Sequence, residues 1–260
     1  MHSRFRVARF CVYSILLAAS WAAGCATPDE KKSPAQFVRE NSNLLQQLGS
    51  YVDSEQHEGI ARIRKLGREQ GSAVALYILD DPTFEEYRVE VVLARILADW
   101  KHPRAIVYLL QNLTVPDEGA VRIASEGLLA FGDNSQVLSA LEEMLARPAE
   151  RDRRIAADVL KRIPSSKVLE MFLSRWKSET DREVRGAFLV TLVNSRYPKR
   201  KELLSDALTD PDRGIRSMAW DALRKYSDLP RIAFEPDGAL EARAKDVAVL
   251  RLWAKGQGAK

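Results

Sequence analysis

From residue 36 onward the apolar residues of this chain recur three and four positions apart, the spacing that gathers side chains on one face of an α-helix. No strand-like alternation competes with it. Ser33-Pro34 provides a cap and a first-turn proline, which predicts a helix opening through Phe37, Val38, Leu44, Leu45 and Leu48. Beyond it the pattern repeats. In the stretch 210–223, Asp210 is read as the cap and Pro211 as a first-turn residue, with Ile215, Met218, Ala219, Ala222 and Leu223 on one face. The same frame returns at 182–192, 148–160 and 120–129, and more loosely at 87–93. Taking Arg88, Arg122, Arg153, Arg185 and Arg216 as markers, successive units are 34, 31, 32 and 31 residues apart.

Each unit carries a second helix. Leu141, Phe172 and Leu204 stand 19 residues after three of the markers, and Leu145, Trp176 and Leu208 stand 23 after them, an i, i+4 pairing on one face. In the 34-residue unit the pair falls later, at Leu110 and Leu113, 22 and 25 residues after Arg88, with 101–104 as the lengthened turn. An earlier, degenerate unit runs through Ile60, Ile63 and Leu66 and then residues 73–79. A hairpin of two short helices cannot bury both apolar faces alone, so neighbours must stack, and the expected fold is an all-α solenoid of about six units. Two departures stand out: Asp152 occupies the position of Val121, Val184 and Ile215, and Arg95 interrupts an apolar face, so irregular packing is expected there. After Arg216 the period fails, because Glu235 and Ala239 fall where large apolar residues belong. Phe234 and a helix with Ala242, Val247, Val249, Leu250, Leu252 and Trp253 are therefore read as a cap on the open face of the last unit, with Trp253 as a core plug.

The recurring Asp-Pro, then a hydrophobic residue and arginine, then Ala and Leu, is similar over residues 54–227 to HEAT repeats in their short bacterial form, related to those of phycobilisome lyases. The resemblance implies a right-handed α-solenoid of about six HEAT-like hairpins with a C-terminal capping helix. It also implies that the five marker arginines form a structural ladder, bonding acids or carbonyls of their own or the next repeat. The function it implies is a non-enzymatic scaffold that binds another protein on a concave face made by the second helices. Arg104, Gln136, Lys167 and Arg200 are the candidate contacts, and their mixture with Glu142, Glu170 and Glu202 suits a protein surface rather than a polyanion. The lyase relatives imply a competing function, a ligand carrier or lyase-like enzyme using a pocket between repeats. A third reading is a spacer within an envelope complex that recognises nothing specifically.

The N-terminus reads differently. Arg4, Arg6 and Arg9 precede an uncharged run from Phe10 to Ala23 and then Gly24, the layout of a secretory signal over residues 1–24. The 14-residue run is short of the roughly 20 needed to span a bilayer as a helix. Ala22-Ala23-Gly24-Cys25 resembles the lipobox of bacterial lipoproteins, which implies a lipid on Cys25 as the first mature residue. Ordinary signal-peptidase cleavage is the alternative that the same small residues satisfy. Residues 25–35, polar with two prolines, are read as the lipidated cysteine and its tether, followed by an N-terminal capping helix at 36–53, repeats at 54–227, and cap and tail at 228–260. Ala26, where aspartate would signal inner-membrane retention, implies an outer-membrane location facing the periplasm. Cys11 falls in the removed segment, so the mature chain is expected to have no internal disulfide and to rely on packing alone.

Loss of the signal also alters the charge. The 40 Lys and Arg fall to 37 against an unchanged 36 Asp and Glu, so the net charge drops from +4 to +1. A near-neutral exported chain without a long basic block gives no reason to expect a nucleic acid. Catalytic motifs are also missing: there is no Gly-x-Ser-x-Gly elbow, Walker loop or Cys-x-x-Cys. His57-Glu-Gly-Ile-Ala61 begins like a zinc protease motif but has Ala61 where the second histidine must stand. Asp210-Pro-Asp212-Arg-Gly214 has the oxygen spacing that starts a calcium loop, without its downstream glutamate. His102 reads as a solvated loop residue. No catalytic residue, metal or cofactor is expected.

Overall fold

The computed structural model describes residues 32–256. The signal segment 1–24, Cys25 and the tether as far as residue 31 lie outside the described residues, as do residues 257–260. Among the described residues all regular structure is helical: α1 (Pro34–Glu40), α2 (Leu44–Gly49), α3 (Asp53–Lys65), α4 (Gly67–Leu79), α5 (Tyr87–Asp99), α6 (Ala105–Asn112), α7 (Glu118–Leu129), α8 (Ser135–Leu145), α9 (Glu150–Leu160), α10 (Ser166–Arg175), α11 (Arg182–Asn194), α12 (Arg200–Ala207), α13 (Arg213–Leu223) and α14 (Leu240–Ala254). None is long and apolar enough to cross a membrane.

From α3 onward the helices pair into hairpins that stack into an α-solenoid. The first helices α3, α5, α7, α9, α11 and α13 each pack on the next. Every second helix from α4 to α12 packs on the first helix of the unit after it, so each hairpin is completed by its neighbour. The residues that set the repeat are the ones this arrangement buries: Leu113, Leu141, Leu145, Phe172, Leu204 and Leu208 are all inside, while Leu110 and Trp176 are partly covered. Removing each such Leu or Phe side chain from water is worth roughly 1.5–3 kcal/mol, and the buried residues join into one core. Helix α5 is surrounded by α2, α3, α4, α6 and α7, which explains why eight of its 13 residues are apolar and buried.

Glycine permits two unusually close helix approaches. A Cβ on Gly71 would lie 2.4 Å from Trp100, and one on Gly127 would lie 2.8 Å from Leu109. A third, Gly67, takes φ +76° and lets α4 leave α3 at the single joint residue Leu66.

Several expectations need correction. The helix expected to run from Pro34 through Leu48 is two helices, α1 and α2, because Asn41 ends the first and its side-chain amide donates to the Phe37 carbonyl. The cap of α13 is Asp212, whose Oδ1 accepts from the Ile215 amide at 3.0 Å, and Pro211 lies ahead of the helix. Asp210 instead accepts from the Asp212 amide at 2.8 Å and tightens the turn. Arg95 does not break the apolar face of α5: it sits on the flank and pairs with Asp99 and Glu126. Asp152 likewise turns to Arg147. Helix α14 packs on α12, so it extends the second-helix layer, and only Val247 and Leu250 of its apolar residues are buried. Val249 and Leu252, expected inside, are 46% and 50% exposed. Phe234 is buried against Trp220 with ring centroids 5.5 Å apart, and Trp253 sits edge-on to Tyr226 while its indole N–H donates to Asp228.

Candidate functional site

Four of the five marker arginines face the turns between repeats. Arg88 donates to Asp117, the N-cap of α7, at 2.7 Å and stacks over the Tyr51 ring at 3.4 Å. Arg153 forms a two-armed pair with Glu179 and also donates to the carbonyls of Arg147 and Pro148. Arg185 reaches Asp210 at 3.3 Å. Arg216 is buried and donates to the carbonyls of Asp210, Pro211 and Pro236. Arg122 is different: it is 70% exposed and comes only within 3.8 Å of Glu126 in its own helix. A residue without a marker role, Arg154, does comparable bridging. It holds Asp181, the N-cap of α11, at 2.7 Å.

The acids at these turns feel their surroundings differently. At Asp117 the Ala120 amide, assisted by Arg88, holds the carboxyl below the usual carboxylate range against the opposing effect of burial. Burial alone would raise Asp181, but Arg154 and the amides of Val184 and Glu183 more than reverse it, and the net shift is downward. At Asp210 burial wins over the Asp212 amide and Arg185, and the carboxyl is pushed up.

The four residues read as partner contacts separate into two pairs. Gln136 and Lys167 are exposed at the starts of α8 and α10. Arg104 is engaged with both carboxylate oxygens of Asp80 and with the Tyr108 hydroxyl. Arg200 donates to the Tyr226 hydroxyl and to the carbonyls of Val193 and Ser195, so its guanidinium ties α11 to the unit that follows. His102 is not fully solvated: it is partly buried, its Nδ1 has no hydrogen-bond partner among the described residues, and burial with Arg104 and Arg68 nearby pulls its pKa down. No cluster of three or more His, Cys, Asp or Glu able to hold a metal occurs among the described residues.

Two adjoining grooves lie on the first-helix side. A groove of about 360 Å³ crosses α9, α11 and α13, with Arg154, Asp158, Arg182 and Glu183 on its rim and Val190, Ile215 and Met218 along its walls. A neighbouring groove of about 310 Å³ between α7 and α9 shares Arg154, Asp158 and Glu183 and adds Val121, Arg122 and Ile155. Gly186 lines the first groove from the interior of α11. A Cβ there would meet only Ile215 Cδ1 at 3.9 Å, an ordinary contact. Unlike Gly71 and Gly127, this glycine relieves no clash, although it costs a helix interior roughly 1 kcal/mol relative to alanine. A mid-helix glycine outside a cap was the available signal, but only the surrounding helices reveal that the space beside it is open.

Residues 149–224, which hold α9 through α13, match the family of HEAT repeats. The protein is thus an α-solenoid, and this segment of it is similar to HEAT repeats. Among solved structures, the crystal structure of an engineered protein from the Northeast Structural Genomics Consortium is similar: it is 18% identical, the match covers 71% of this chain and 95% of that one, and the TM-score is 0.42. No curated protein matches the sequence.

Proposed function

We propose that this protein is a non-enzymatic interaction scaffold of the bacterial cell envelope, anchored by a lipid on Cys25 in the outer membrane and facing the periplasm. Its partner is a segment of another envelope protein, seated in the first-helix grooves over α7 to α13. The observation that carries this reading is the groove across three stacked helices, bordered by Gly186, a mid-helix glycine with no packing need. HEAT repeats suit such a role because stacked hairpins present extended, rigid surface. A tether would raise the local concentration of solenoid and partner at one membrane. The groove therefore replaces the second-helix face as the favoured contact, since Arg104 and Arg200 are already engaged within the fold.

The test is a crosslinking pull-down from intact envelopes with three variants of the full chain. Gly186→Leu should abolish retention of the partner while leaving the melting temperature near that of the parent. The paired change Gln136→Glu with Lys167→Glu should leave retention intact. Cys25→Ser should move the protein out of the membrane fraction. Loss of the partner in the Gln136/Lys167 variant alone would return the contact to the second helices, and retention in all variants would remove the grooves from the reading.

A further inference from the structure

A third opening lies at the edge of the solenoid, between the turn that joins α9 to α10 and the turn that joins α11 to α12. It encloses about 590 Å³, within the range of small-molecule sites. Lys161, Arg162 and Arg196 line it, and no Asp or Glu does. That charge pattern contrasts with the rest of the stack. The first-helix grooves include Asp158 and Glu183, and three of the marker arginines meet Asp117, Glu179 and Asp210. Here the Arg162 and Arg196 side chains make no ion pair or hydrogen bond among the described residues, and only Lys161 has an acid, Asp158, outside the pocket wall. Cations lining a cleft with low-dielectric walls focus the field on an incoming anion. Asn194 and the Ser166 hydroxyl add polar groups, while buried Ile163 and Leu169 supply an apolar wall.

We propose that this pocket binds an organic oxyanion, a phosphate or carboxylate joined to an apolar body, taken either from a free small molecule or from a lipid headgroup. Arg162 and Arg196 would hold the oxyanion, since a guanidinium offers paired donors matched to two oxygens. The apolar body would lie against Ile163 and Leu169. The pocket shares Lys161 with one first-helix groove and Arg162 with the other, but Arg196, Ile163 and Leu169 line neither groove, and the proposal does not rest on the scaffold reading.

The test uses the full chain with Cys25→Ser, so that no lipid anchor competes. Titration calorimetry with phenyl phosphate, phenylacetate and inorganic phosphate should give saturable binding, tighter for an aromatic oxyanion than for inorganic phosphate. Arg162→Ala with Arg196→Ala should weaken it by about tenfold or more, a difference of ~1.4 kcal/mol. Asn194→Trp, at an exposed position, should block the pocket by bulk, and neither variant should lower the melting temperature. Flotation with phosphatidylglycerol vesicles but not with phosphatidylcholine vesicles would assign the ligand to a lipid headgroup; binding of phenyl phosphate without flotation would assign it to a free molecule. Absence of saturable binding for all probes and vesicles, or binding that survives both variants unchanged, would overturn the proposal.

Discussion

Two junctions of the solenoid have nearly the same backbone and opposite chemistry. At the entrance to α11, Asp181 accepts the amides of Glu183 and Val184, its backbone sits at φ −74°, ψ 125°, and Arg154, 27 positions earlier, grips the same carboxylate. At the entrance to α9 the corresponding residue is Ala149, at φ −68°, ψ 119°, with no side-chain cap. Arg122, also 27 positions earlier, is left in solvent. The backbone conformation of a capped helix is therefore kept where the capping group is gone. What ties one unit to the next is the acid in the following turn, and the arginine is only half of the device.

The contrast is tested most severely by Arg153→Ala. It would leave the Glu179 carboxylate, only 6% exposed, facing the α9 to α11 junction without its guanidinium, and the expected loss is about 3–4 kcal/mol in urea unfolding. Asp181→Ala removes a cap and one partner of Arg154; because Arg154 is half exposed and can rehydrate, the expected loss is smaller, about 2 kcal/mol. Ala149→Asp should act in the other direction, stabilising by about 1 kcal/mol, since the backbone already has the capping conformation. Arg122→Ala in the parent should change stability by less than about 0.5 kcal/mol, but by more in the Ala149→Asp background if the new acid recruits it.

The smallest effect expected concerns acid. Asp181 has a folded pKa below its unfolded value, so the unfolded chain binds the proton more tightly, and this contribution to stability is present above about pH 4 and lost as pH falls. Asp210 has the opposite sign: its raised folded pKa makes protonation favour the folded state, which opposes the acid loss. Urea midpoints between about pH 7 and about pH 3 should therefore fall less steeply in Asp181→Asn and more steeply in Asp210→Asn than in the parent. Equal slopes in all three proteins would count against the difference between the two turns.

The helical period could be read in the sequence because burial imposes it. Leu141, Leu145, Phe172, Leu204 and Leu208 must face inward in every unit, and a fixed spacing is the only way short hairpins can do so repeatedly. The site was harder to read. Arg104 and Arg200 look unengaged in a sequence, because the acid and hydroxyl that hold them, Asp80 and Tyr226, are 24 and 26 positions away. Val249 and Leu252 look like core residues because helical spacing tells which positions share a face and not which face meets a neighbour.

By itself, the sequence determined the helical class, the length of the repeat and the residues that fill its core, since these follow from local periodicity and the need to remove apolar side chains from water. Only the packed helices reveal which arginines have partners, where α14 docks, and that Gly186 borders an open groove while Gly71 and Gly127 sit at close contacts. The physical reason is range: periodicity is set within one or two helical turns, whereas an ion pair, a groove or a pocket depends on atoms brought together from units some 30 residues apart.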